Sequence, residues 1–338
     1  MVRLKRISIF LLSLSLLIVI IWLFVNSIQK NNNKTSDELY YEAYRRFDKI
    51  FSIKIPGKMN FCGETVPVDK FYVRESLDRE LLVNTYWHSN TLLMFKRAYR
   101  YFPVIDSILK FNHVPSDFRY LALIESGFEN IVSPAGAKGF WQIMKTTAQM
   151  YGLEVNAEID ERYHLEKSTL AACKYLKASY QKFGNWTLAA ASYNMGAEGL
   201  ASVIKSQKSD NYYDLYLNKE TQRYIYRILA VKLIYESPVA YGFYLREKDF
   251  YPEIKTYTVI VDTSITNWAE FAIINKSNYR ILKEFNPWIL KYSLTNKNKK
   301  TYNIKFPVVG YESLPLFKIE SSPDDNLFND TLKINEIH

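Results

Sequence analysis

Over most of this chain apolar side chains recur every three to four positions, in blocks broken by Gly, Pro, Asn and Ser. This is the pattern of amphipathic helices joined by short connections. The blocks predict helices at residues 38–50, about 77–87, about 91–101 and about 104–111, with a Pro- and Gly-punctuated connection over 53–73. Ser116 is placed to cap the next helix, which Gly127 stops. Thr146 is placed to cap a short helix ending at Gly152. Residues 169–183 predict a long helix closed by Gly184, Thr187 caps 188–195 before Gly196, and 219–236 is the last long helix, with Pro238 beyond its end. From Tyr251 the period changes. Residues 256–261 and 301–306 alternate as strands and enclose two short helices at 267–275 and 278–285. The fold class expected is mainly α, with a small α+β module at the C-terminal end.

One hydrophobic block is of a different kind. Arg3, Lys5 and Arg6 precede residues 7–25, an uncharged run of apolar residues and serines long enough to span a bilayer as a helix. No Ala-x-Ala-like cleavage site is visible and no cysteine follows, so the run reads as a retained signal anchor, with cleavage as the alternative. The expected organisation is an anchor at 1–30, a tether and N-terminal helices at 31–100, a helical domain at 101–245, the α+β module at 251–310 and a tail at 311–338. The basic end would stay in the cytoplasm and everything after Asn26 would be exported.

Within the helical domain the stretch 116–144 carries the densest chemical signal. Phe118, Leu121 and Ala122 share a helical stripe whose next member is Glu125. A carboxylate carried towards an apolar face is desolvated, which disfavours its charged form and lets it hold a proton near neutral pH. The turn Ser133-Pro134-Ala135-Gly136 then brings the chain back past the Glu. Gly136 and Gly139 permit close backbone approach, Phe140 and Trp141 offer aromatic surface, and Gln142 supplies a neutral donor and acceptor. Taken together, these side chains suit a sugar.

Three ordered motifs make the resemblance specific: Glu125-Ser126, then Gly136-Ala137-Lys138-Gly139-Phe140-Trp141-Gln142-Ile143-Met144, then Ala191-Ser192-Tyr193-Asn194-Met195-Gly196. All three fall within about 75 residues. This pattern resembles the lytic transglycosylases of peptidoglycan, in particular the membrane-bound murein transglycosylase D type, over roughly residues 60–310. The resemblance implies a lysozyme-like (SLT) helical domain and, from the strand-helix-helix-strand order with Asn286-Pro287, a degenerate LysM-like module. That module has Val261-Asp262-Thr263 where the family has Gly-Asp-Thr. Asp160-Glu161-Arg162 resembles a structural stretch of the same family.

The resemblance also implies a reaction. Cleavage of a glycosidic bond usually uses two carboxylates, but neither Glu129 nor Asp117 is a convincing partner for Glu125. A muramic acid residue can substitute for the second group, its N-acetyl stabilising the cationic centre and its own 6-hydroxyl attacking intramolecularly. Glu125 would protonate the bond between N-acetylmuramic acid and N-acetylglucosamine and then take the hydroxyl proton, giving a 1,6-anhydro sugar. Ser126, Gln142, Met144, Tyr193, Asn194 and Tyr224 are implied to contact substrate or the catalytic carboxylate. Other readings stay open: Glu125 paired with an arginine such as Arg119, Ser126 as a helix cap, Tyr224 as buried core, and Phe140, Trp141 and Met144 as groove wall. At the level of the whole protein, a water-delivering hydrolase and a wall-binding tether without turnover also stay open.

Composition narrows the rest. With 48% hydrophobic and 16% aromatic residues in 338, a buried core is expected and disorder is not. A net charge of +9 invites a nucleic-acid reading, but the lysines are scattered and an exported chain does not meet that partner. The expected partners are therefore glycan strands and the inner membrane. No cofactor is expected, and His88, His113, His164 and His338 lack metal-ligand spacing. Cys62 and Cys173 are the only cysteines; they could pair, although Cys173 fits better as a small buried residue.

Overall fold

The computed structural model describes residues 15–23, 35, 52–308 and 310. Residues 15–23 are helical with exposed apolar side chains such as Leu16, Ile18 and Trp22. The expected span 7–25 is described only there, and among the described residues no helix is long and apolar enough to cross a membrane. The expected helix at 38–50 and tail at 311–338 lie outside the described residues.

The body begins with a two-residue hairpin, β1 (Asn60–Phe61) against β2 (Glu64–Thr65). It turns through Cys62 and Gly63, both at positive φ. Two helices follow, α1 (Phe71–Tyr86) and α2 (His88–Phe111). The second corrects the expectation of separate helices at 91–101 and 104–111, because the chain runs through Pro103 without a break. Thr91, Met94, Phe95, Ala98, Phe102, Ile105 and Leu109 form one continuous buried stripe. Burying such a stripe contributes roughly 1.5–3 kcal/mol per large side chain, more in total than the ~3 kcal/mol an internal proline costs.

α3 (Phe118–Ser126) is preceded by α-like backbone at Asp117 with no side-chain cap, so Ser116 does not cap it. The Asp117 carboxylate instead accepts from Cys62 N and Lys232 Nζ, both at 2.7 Å. α4 (Lys145–Met150) likewise lacks the expected Thr146 cap. α5 (Leu165–Phe183) starts four residues before the expected 169 and ends at left-handed Gly184. In α6 (Trp186–Met195) the cap is Asn185, which accepts from Leu188 N at 2.7 Å, while the Thr187 hydroxyl donates to Glu64 at 2.6 Å. α7 (Ala197–Gln207) has no counterpart in the expectation. α8 (Lys219–Glu236) has the expected bounds and is capped by Asn218. The core gathers Leu77, Ile105, Leu121, Trp141, Leu188 and Ile228, all fully buried.

The C-terminal module follows its expected order: β3 (Thr256–Val261), α9 (Trp268–Ile274), α10 (Tyr279–Phe285) and β4 (Tyr302–Pro307). The strands pair antiparallel from Thr256 opposite Pro307 to Val261 opposite Tyr302. Asn267 and Asn278 cap the two helices. Fully buried Asn286 ties α10 to β4, donating to the carbonyls of Leu282 and Lys305 and accepting from Lys305 N at 2.8 Å. The helical body meets this module along its acidic segment. Ile159 enters the module's core, Asp160 N donates to Trp288 O at 2.9 Å, and Leu290 N donates to Glu158 O at 2.8 Å. Lys300 pairs with Glu154 and Lys305 with Glu166.

Candidate active site

Glu125 lies in the last turn of α3, on the stripe of fully buried Phe118, Leu121 and Ala122, and is itself half-buried. Gly127, at φ 58°, ends the helix immediately after it. The terminal carbonyls find guanidinium donors: Arg227 Nη2 reaches Ile124 O and Arg97 Nη1 reaches Gly127 O, each at 3.1 Å. Two cations therefore sit at the negative end of the helix dipole, and the charge of one of them, Arg227, acts on the carboxylate. Tyr224, fully buried on α8, donates its hydroxyl to Glu125 Oε1. Burial holds the Glu125 carboxyl above its usual range; the Tyr224 hydrogen bond and the Arg227 charge oppose this, and Glu220 adds to it. Burial, followed by the neighbouring Glu125 charge, lifts the Tyr224 and Tyr193 phenols well above theirs.

The side chains weighed as partners of Glu125, one arginine and two carboxylates, are engaged elsewhere. Arg119 donates to Asp106 and to the Tyr120 hydroxyl, both at 2.8 Å, so the pairing with Arg119 left open by the sequence does not form. Glu129 pairs with Arg97 at 2.5 Å and Asp117 with Lys232 at 2.7 Å. Among the described residues Glu125 makes no ion pair.

Ser126 is buried; its hydroxyl donates to Phe140 O at 2.9 Å and accepts from Phe128 N at 3.1 Å, tying the helix end to the following loop. Gln142 is half-buried with φ 45°, a strained value for a non-glycine, and its amide donates to Gly139 O at 2.7 Å and Ile131 O at 3.2 Å. Met144 is 43% exposed, whereas Phe140 and Trp141 are buried, and the Trp141 indole N–H donates to Thr169 at 2.9 Å. The aromatic surface of this motif is thus core rather than wall. The Tyr193 hydroxyl donates to Trp141 O at 2.7 Å. The Asn194 amide donates to Glu220 at 3.1 Å and its carbonyl accepts from Thr221 at 2.7 Å. Glu125, Tyr193 and Tyr224 thus lie close enough to perturb one another's protons, while Asn194 joins them through Glu220.

Sequence reasoning missed Arg227, Arg97 and Glu220. Arg227 carries a weak signal, since it is three residues after Tyr224 and shares its helix face. The loop is held from below by Asp160 and Arg162, both buried and joined by two 2.8 Å hydrogen bonds. Arg162 also donates to Gly136 O at 3.0 Å and Ile143 O at 3.2 Å. Gly139 packs so closely on the Arg162 carbonyl that a Cβ would lie 2.0 Å from that oxygen. Burial raises the Asp160 carboxyl, but the Arg162 hydrogen bonds and charge bring it below its ordinary value. The two cysteines are unpaired, Cys173 being buried and Cys62 half-buried.

Comparison with known proteins covers both parts of this architecture. Residues 102–216 match the transglycosylase SLT domain, and residues 257–310 match the soluble lytic transglycosylase C-terminal LysM-like domain. Membrane-bound lytic murein transglycosylase D of Escherichia coli (strain K12) is 30% identical over 220 residues, covering 63% of this chain and 47% of that protein. The protein of the same name from Escherichia coli O6:H1 matches to the same extent. The chain therefore spans about half the length of the curated relatives it matches.

Proposed function

We propose that this chain, in which residues 102–216 are a transglycosylase SLT domain and residues 257–310 a LysM-like one, is a peptidoglycan lytic transglycosylase with Glu125 as its single acid and base. The observation that carries the reading is a half-buried carboxyl, raised by burial, free of any ion pair among the described residues and hydrogen-bonded by Tyr224. Such a group keeps its proton to higher pH than an exposed carboxyl does and can give it to a leaving oxygen.

In the proposed reaction Glu125 protonates the oxygen linking N-acetylmuramic acid to N-acetylglucosamine, and the bond to the anomeric carbon breaks. The substrate's N-acetyl group supports the cation, the 6-hydroxyl oxygen bonds to the anomeric carbon, and its proton passes to the Glu125 carboxylate. No water is consumed and Glu125 ends protonated, ready for the next cycle. Tyr224 and Arg227 stabilise the carboxylate between the two transfers. Ser126, Gln142, Met144, Tyr193 and Asn194 are assigned to the glycan side of this group. Residues 7–25 are proposed as a membrane anchor with the catalytic part in the periplasm, in keeping with the relatives' membrane-bound description.

The test is digestion of purified sacculi followed by mass spectrometry. Wild-type protein should release anhydro-muropeptides, one water lighter than the products of hydrolysis, and Glu125→Gln should release none while keeping its helical circular dichroism. Reducing-end products from the wild type would favour the hydrolase. Unchanged activity in the variant would remove Glu125 from its role.

A further inference from the structure

An open surface depression of about 330 Å³, distinct from the cluster around Glu125, lies where the loop after Glu125 meets α10 of the C-terminal module. It is lined by Asn130, Tyr279, Arg280, Lys283, Glu284 and Pro287. Asn130 directly precedes Ile131, whose carbonyl holds the Gln142 amide, so one wall belongs to the same loop as a candidate glycan contact. Both walls are held in place. Asn130 lies between Glu129, paired with Arg97, and the backbone turn from Ile131 N to Glu129 O at 2.9 Å. The module's wall is fixed by the Asp160–Trp288 and Leu290–Glu158 backbone bonds and by Thr295 N donating to Glu158 at 2.8 Å. His164 stacking on Trp288 with centroids 5.6 Å apart adds to that hold.

The lining groups select the ligand. Asn130, Arg280 and Glu284 are all exposed and have no hydrogen bond or ion pair among the described residues. Lys283 is occupied, donating to Ile289 O. Tyr279 is stacked on Tyr292 with centroids 5.0 Å apart, so one face of that ring is already covered and it makes a poor sugar platform. A free guanidinium, a free carboxylate and a neutral amide around one depression match a small peptide bearing both carboxylates and an amine. A polyanion such as a phosphate polymer would meet Glu284 unfavourably.

We infer that this composite depression is a subsite for the peptide stem carried by the muramic acid residues, with Arg280 taking a stem carboxylate and Asn130 and Glu284 taking its amide and amino groups. This rests on the peptidoglycan reading above and gives the LysM-like module a part in substrate selection through its second helix.

The test uses the full chain and two substrates: glycan strands bearing peptide stems, and strands stripped of them by an amidase. Arg280→Ala should raise KM for the stem-bearing strands roughly tenfold with kcat unchanged, as expected when one charge-assisted hydrogen bond of ground-state binding is lost. Arg280→Lys should recover part of that loss, and turnover of stripped strands should stay at the wild-type value. Equal effects on both substrates, or none on either, would overturn the subsite. A second arm needs no turnover: titration calorimetry of a free tripeptide of alanine, γ-linked glutamate and diaminopimelate into the Glu125→Gln protein. Heat that disappears on adding Arg280→Ala supports the subsite even if the lytic reading fails; no heat in either protein counts against it.

Discussion

Replacing Tyr224 by Phe removes one hydroxyl, the donor to Glu125 Oε1, and leaves the ring in its fully buried place. A hydrogen bond to a charged group contributes about 1.5–3 kcal/mol, and each 1.4 kcal/mol is tenfold, so the variant should lose about 10- to 150-fold in kcat. The direction of the pH effect follows from the opposed influences on Glu125. Burial raises its proton affinity, while the Tyr224 bond and the Arg227 charge lower it. Removing the phenol leaves burial less opposed, so the carboxyl holds its proton to higher pH. The alkaline limb of the kcat/KM profile, where the acid becomes ionised, should move upwards as the limiting rate falls. Turbidity clearing of sacculi from acid to alkaline pH provides the profile, and thermal melts in the same buffers provide stability. The Glu125 carboxyl sits above its unfolded value of 4.5, so its contribution to stability is complete below that value and is lost as pH rises through the folded one. Tyr224→Phe should therefore lose more melting temperature at neutral pH than at pH 4. An unchanged rate with an unmoved alkaline limb would show that the phenol does not govern the acid.

The same linkage predicts that Glu125→Gln, expected to be inactive, melts higher than the wild type at neutral pH, with the gain vanishing at pH 4; a uniform gain at both would contradict the burial argument. Gly139→Ala places a methyl 2.0 Å from the Arg162 carbonyl oxygen at a positive φ, and should cost about 2–4 kcal/mol in urea denaturation. Arg162→Met leaves the buried Asp160 carboxylate with Lys138, 3.4 Å away, in place of two guanidinium hydrogen bonds, and should cost about 3 kcal/mol, with Asp160→Asn added to it recovering part of the loss in a double-mutant cycle.

Much of this molecule could be read from sequence because it is written in local signals. The bounds of α8 follow from Asn218, Pro238 and an uninterrupted apolar stripe. The module's strand-helix-helix-strand order follows from alternation and from two asparagine caps. The half-burial of Glu125 was legible because its stripe is carried by the three residues that precede it on one face. The errors arise where a distant partner overrides a local rule. Pro103 signals a break, but a seven-residue buried stripe carries α2 through it. Ser116, Thr146 and Thr187 are good caps by composition, and Thr187 is withdrawn from capping by Glu64, more than a hundred residues away. Trp141 reads as a stacking surface until Thr169 claims its indole. Arg97 was invisible and Arg227 only faintly marked for the same reason: both meet carbonyls at the end of a helix remote in sequence.

Arg227 also bears on how, in the proposed reaction, one carboxylate would act twice. A group that only donates a proton needs burial and nothing more; one that must then accept a proton has to exist for a moment as an anion in the same half-buried place. Burial and the Glu220 charge favour the acid, while the Tyr224 hydroxyl and Arg227 favour the anion, and both sets act on the same side chain. Had Arg227 formed a direct ion pair, the anion would have been favoured throughout and the donor lost. It is spent instead on the Ile124 carbonyl, one residue before Glu125, close enough to soften the cost of ionisation without abolishing it. Arg227→Met should therefore differ in kind from Tyr224→Phe. It should raise the pH at which the acid ionises and also loosen the end of α3, so faster amide exchange at Gly127 and Phe128 should accompany the kinetic change. A shifted profile with unaltered exchange would mean that the arginine acts by charge alone.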